Sequence, residues 1–112
     1  MDELIDDEDD IAIAAVTAAE LLVGVELADA KRRKKRAEFV ESVLALVPVE
    51  AYDLGVARTH AGLLAHTHRS GRARGAHDLL IAATALQRDR AIVTADAAGF
   101  ADLPGVSIRT PN

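Results

Sequence analysis

Short apolar runs alternate with longer stretches in which apolar residues return every three or four positions. Ile11 to Val16 (IAIAAV) is one such run, and its length suits a buried parallel strand. Thr17 then opens a helix, with Thr17 as N-cap and Glu20 as its partner in a capping box, reaching about Ala28. A second helix is predicted over Ala30 to Leu46. Phe39, Val40, Val43, Leu44 and Val47 mark its buried face, and Pro48 stops it. Leu46 to Val49 reads as a short strand. Asp53 caps a third helix running to about Arg69, with Leu54, Ala57, Ala61, Leu64 and Ala65 on its apolar side.

Ser70 to Gly75 (SGRARG) is a basic loop. His77 to Arg88 is a fourth helix, apolar almost all round and therefore central. Ala91 to Thr94 is a strand, Ala97 to Leu103 a loop or short turn of helix, and Val106 to Ile108 a last strand. Short apolar strands between helices point to an α/β fold with a parallel sheet covered on both faces. In such sheets functional groups collect at the carboxyl ends of the strands.

Composition narrows the choice. Half of the 112 residues are hydrophobic and only 3% are aromatic, so the core is aliphatic. Cysteine is absent, which removes disulfides and thiolate zinc sites and is compatible with a cytoplasmic protein. No apolar run approaches the length of a membrane span, so no membrane role is expected. Asp2 to Asp10 holds seven acids and no base. Without it the net charge of -5 gives way to 11 acids against 13 bases. We therefore divide the chain into an acidic leader, residues 1–10, and a mildly basic domain, residues 11–112, whose charge permits a nucleic-acid partner.

Three acids stand in strongly apolar sequence: Glu20 in VTAAELLVG, Asp78 in GAHDLLIAATAL and Asp96 in IVTADAAGF. Each has an ordinary local reading: Glu20 as a capping-box member, Asp78 as a first-turn helix residue, Asp96 as a turn residue. Jointly they suggest a carboxylate cluster neutralised by a hard divalent cation.

The three segments VTAAELLVGVE, GRARGAHDLLIAATAL and AIVTADAAGF resemble, in order, spacing and apolar context, the PIN domain of bacterial VapC toxins. The resemblance implies a three-layer α/β/α domain with a central parallel sheet, assembled as a homodimer. It implies a toxin of a toxin–antitoxin pair that cleaves RNA endonucleolytically with Mg²⁺ or Mn²⁺ and is neutralised by a VapB-type antitoxin. By motif position Glu20, Asp78 and Asp96 are the catalytic and metal-binding acids. Asp78 would be a principal ligand, with Glu20 and Asp96 completing the cluster or positioning water. Thr94 would support Asp96. Arg72 and Arg74 either hold RNA near the cluster or meet an acidic antitoxin tail.

Two departures qualify the resemblance. The family begins with a strand ending in Asp, and this first strand is missing here. A start codon placed too far downstream is the simplest explanation, and an upstream reading frame is then expected to supply it. Many relatives also carry an acid just before the Phe of the last motif, where this chain has Gly99. These departures sustain a second reading: a catalytically inactive PIN-like module, or a truncated product, that binds antitoxin or RNA. Of the other features, the six bases Lys31 to Arg36 read as a solvated helix start in preference to an RNA patch. The four histidines suggest no zinc site.

Overall fold

The computed structural model describes residues 11–110. The acidic leader lies outside them. The described chain divides into two compact units, residues 11–51 and 52–110.

In the first unit, β1 (Ile13–Ala14) leads directly into α1 (Ala15–Glu26). β1 is far shorter than the run Ile11 to Val16 suggested, and the capping box does not form. Ala14 occupies the N-cap position without a side-chain cap, and Thr17 falls inside the helix. The cause is the alanine content. Ala is the best helix former, so Ala14 and Ala15 let the helix start once pairing ends, and the β-branched Val16 alone does not keep the chain extended. α2 (Ala30–Leu46) has the expected bounds and is capped by Asp29, whose carboxylate accepts the Arg32 N–H at 2.9 Å.

Of the face assigned to α2, only Val40 is fully buried, at 2% exposure, while Phe39 is 63% exposed. Val43, Leu44 and Val47 are half-buried. They follow Val40 at the i+3, i+4 and i+7 positions, and Phe39 lies beside that stripe. After Pro48, β2 (Val49–Glu50) pairs in parallel with β1, Ile13 opposite Val49 and Ala14 opposite Glu50.

The second unit holds the larger core. α3 (Leu54–Ser70) starts at Asp53, which accepts the Val56 N–H at 3.0 Å. It ends on Gly71, whose φ of 70° gives the left-handed cap that glycine adopts without strain. Its buried residues are Val56 and Leu63, not the side expected from sequence; Leu54 and Leu64 are exposed. The true stripe also carries Thr59, His60 and His66, polar residues that find partners. Thr59 Oγ1 donates to Gln87 at 2.7 Å, and His66 Nε2 donates to the Asp102 carbonyl at 3.0 Å. His60 Nδ1 shares a hydrogen bond with the Tyr52 hydroxyl at 2.9 Å.

α4 (Ala76–Gln87) is the central helix, as its all-round apolar sequence requires. Leu79, Ala82 and Ala83 pack in one cluster with Val56, Leu63, Ile92, Phe100 and Leu103. The buried Thr84 hydroxyl is satisfied by the Leu80 carbonyl at 2.8 Å. β3 (Ile92–Val93), a 3₁₀ turn (Ala97–Phe100) and β4 (Ile108–Arg109) complete the unit. β3 and β4 pair in parallel, Ile92 opposite Ile108. Among the described residues the strands thus form two two-stranded parallel ladders rather than one continuous sheet. None of the described helices is long and apolar enough to cross a membrane.

Candidate active site

Asp78 sits in the first turn of α4. The preceding Gly75 is the N-cap and has no side chain to satisfy the helix's free N–H groups, so a carboxylate in this turn is electrostatically favoured. Asp96 follows β3. Its backbone N–H donates to Thr94 Oγ1 at 3.0 Å, so the Thr94 side chain fixes the turn that presents Asp96. The 3₁₀ turn begins one residue later.

Gly99 reveals how the two acids meet. A Cβ at this position would lie 3.2 Å from Asp78 Oδ2 and 3.2 Å from Asp96 Oδ2. Two carboxylates brought in from separate segments therefore face one small gap, which the absent side chain leaves open. Facing carboxylates repel unless a proton, cation or donor lies between them. Carboxylate oxygens are the donors that a hard divalent cation such as Mg²⁺ or Mn²⁺ takes, so the chemistry of the pair fits such an ion. Among the described residues there is no group of three or more His, Cys, Asp or Glu side chains placed to hold a metal.

Glu20 belongs to the other unit. It stands exposed in the second turn of α1. Arg72 and Arg74, two positions apart in the SGRARG loop, differ sharply. The Arg72 side chain is 63% exposed and pairs with Asp102. Arg74 is only 13% exposed and donates to the carbonyls of Ala98, at 2.8 Å, and Ala101. The six bases of α2 are exposed. Among them, Arg33 donates to the Glu26 carbonyl at 3.0 Å and the Ala28 carbonyl at 3.3 Å, at the end of α1. That contact suits the negative end of a helix and gives the basic run a structural use.

Sequence reasoning missed Asp29 as a cap, although an Asp just before a helical stretch was a usable signal. It also missed Asp102. This residue adopts φ 68°, a left-handed conformation that Asp tolerates better than most residues, and gathers Arg72, Arg74 and His66 around itself. No local motif marks it.

The PIN-domain family model matches residues 1–106. The chain belongs to this family. Among curated relatives, the ribonuclease VapC of Rickettsia bellii is 28% identical over 103 residues, spanning 91% of this chain and 77% of its own length. The ribonuclease VapC1 of Rickettsia felis is 27% identical, over 88% of this chain and 74% of that protein. Of the solved structures, VapBC-5 from Mycobacterium tuberculosis is 35% identical, with a TM-score of 0.78 over 89% of this chain and 81% of the other. FitAcB from Neisseria gonorrhoeae is 31% identical, with a TM-score of 0.81 over 88% of this chain and 73% of the other. The PIN fold thus accounts for the mixture of parallel strands and covering helices, and the relatives are of the VapC type.

Proposed function

We propose that this PIN domain is the toxin of a VapBC-type pair and cleaves RNA endonucleolytically with Mg²⁺ or Mn²⁺. The observation that carries the reading is the approach of Asp78 and Asp96 to one gap at Gly99. The similarity to VapC ribonucleases supplies the substrate class.

In this reading Asp78 and Asp96 hold the metal, and Glu20 is the third acid that the family motif assigns to the reaction. A divalent cation bound there supplies Lewis-acid stabilisation of phosphate charge and lowers the pKa of water. The protein's own part is positional. Thr94 holds the backbone of Asp96 through its hydroxyl, and α4 holds Asp78 in its first turn. Arg72, exposed beside Asp102, is the better placed of the two loop arginines to contact an RNA phosphate, by exchanging one anion for another.

The proposed partner is a VapB-type antitoxin, with a homodimer as the assembled form. Relatives whose structures are solved as VapBC and FitAB complexes support the antitoxin. A second reading, a PIN-like module that binds RNA or antitoxin without cleaving, is favoured by one feature. At Gly99, against the Asp78 and Asp96 carboxylates, the chain has no side chain where many PIN domains carry a further acid.

Incubation of the purified chain with structured RNA and Mn²⁺, with and without EDTA, separates the two. Cleavage that EDTA abolishes is the expected result. Retained RNA or antitoxin binding with no cleavage under any divalent cation would establish the binding module instead.

A further inference from the structure

We infer that Arg74 is a positioning residue that locks the Asp96 turn onto the segment carrying Asp78. The functional consequence rests on the metal-nuclease reading above; the structural part stands without it.

Arg74 lies four residues before Asp78, in the loop that feeds α4. Its guanidinium crosses to the 3₁₀ turn that follows Asp96. There Nη1 donates to the Ala98 carbonyl at 2.8 Å, and Nη2 donates to the Ala101 carbonyl. These carbonyls bracket Gly99 and Phe100. Phe100 is buried in the core, whereas Gly99 faces both acids. The turn's own backbone bonds are long: Gly99 N–H to the Asp96 carbonyl at 3.2 Å and Ala101 N–H to the Ala98 carbonyl at 3.4 Å. Single 3₁₀ turns hold themselves poorly. A planar fork of donors grips two carbonyls at once, which a lysine ammonium on a flexible stem does much less well.

Asp102 supports the grip from beyond the turn. Its carboxylate lies 3.9 Å from Arg74 Nη2, and its own carbonyl accepts from His66 of α3. Arg74 is therefore tied into the fold at 13% side-chain exposure. Its role is to keep Asp96 opposite Asp78, not to meet phosphate.

The test uses Arg74→Ala and Arg74→Lys in the full chain, with two readouts besides activity. Amide hydrogen exchange at Gly99 and Ala101 reports the turn, with Ala82 and Ala83 as core controls. Mn²⁺ binding, followed by water-proton relaxation, reports the acid pair. Both variants should speed exchange at Gly99 and Ala101 about tenfold or more, leave the controls unchanged, and weaken Mn²⁺ binding by about tenfold or more, the range typical of groups that orient metal ligands.

Exchange at Gly99 and Ala101 within about twofold of the parent would overturn the assignment. So would full recovery of both readouts by Arg74→Lys. If Arg74→Ala does not fold, Arg74→Lys decides. If the parent chain binds no Mn²⁺, the metal reading fails, and exchange alone still decides whether Arg74 holds the turn.

Discussion

Arg88, at the end of α4, donates to the Asp53 carboxylate at 2.9 Å, while the same Asp53 caps α3 by accepting the Val56 N–H. One carboxylate thus serves the start of one helix and the end of its neighbour. The Val56 amide, followed by the Arg88 guanidinium, holds the Asp53 pKa below its ordinary value of 3.8.

A depressed folded-state pKa stabilises the fold above the unfolded-state value and loses that stabilisation as pH falls through the folded value. Asp53→Asn keeps a capping oxygen but removes the titration. Melting temperatures measured between about pH 5 and pH 2 should therefore fall less steeply for Asp53→Asn than for the parent. At neutral pH the parent should be the more stable of the two. Equal slopes would show that the Asp53 ion pair contributes nothing to acid stability.

Leu63 and Phe39 test the core assignment. Leu63 is 3% exposed in the main cluster, so Leu63→Ala should cost about 2–5 kcal/mol in denaturant unfolding. Phe39→Ser should change stability by no more than about 0.5 kcal/mol, because the ring already meets solvent. A large loss at Phe39 would mean that it is buried in the protein's working assembly.

Much of this was legible in the sequence. The bounds of α2, the Asp53 cap, the central position of α4 and the family itself followed from periodicity, punctuation and three short motifs. The buried face of α3 was not legible, because Thr59, His60 and His66 sit on it. Only the hydrogen bonds to Gln87, Tyr52 and Asp102 show why polar residues are tolerated there. The start of α1 was misread because Thr17 and Glu20 imitate a capping box while the helix forms from the alanines before them. Arg74 gave no sign of its partners, since backbone carbonyls carry no sequence signature.

Gly99 offers a charge test of the acid pair. A carboxylate introduced there would meet Asp78 and Asp96 at close range. Without metal, Gly99→Asp should lower the melting temperature through like-charge repulsion. With Mn²⁺ it should show a larger thermal rise than the parent, since a ligand that binds only the folded state stabilises it by mass action. Scanning calorimetry with and without Mn²⁺ checks both signs. Gly99→Ala, which fills the gap without adding a ligand, should reduce the Mn²⁺ response.

The most direct test of the central claim is single-turnover cleavage of one structured RNA with Mn²⁺. It compares the parent chain with Asp78→Asn and Asp96→Asn, each first shown to be folded. Either substitution replaces a charged metal-binding oxygen with a neutral amide. The expected result is cleavage by the parent, a loss of at least about a hundredfold in both variants, and none in EDTA. Cleavage that persists in both variants at the parental rate, or that survives EDTA, would contradict it.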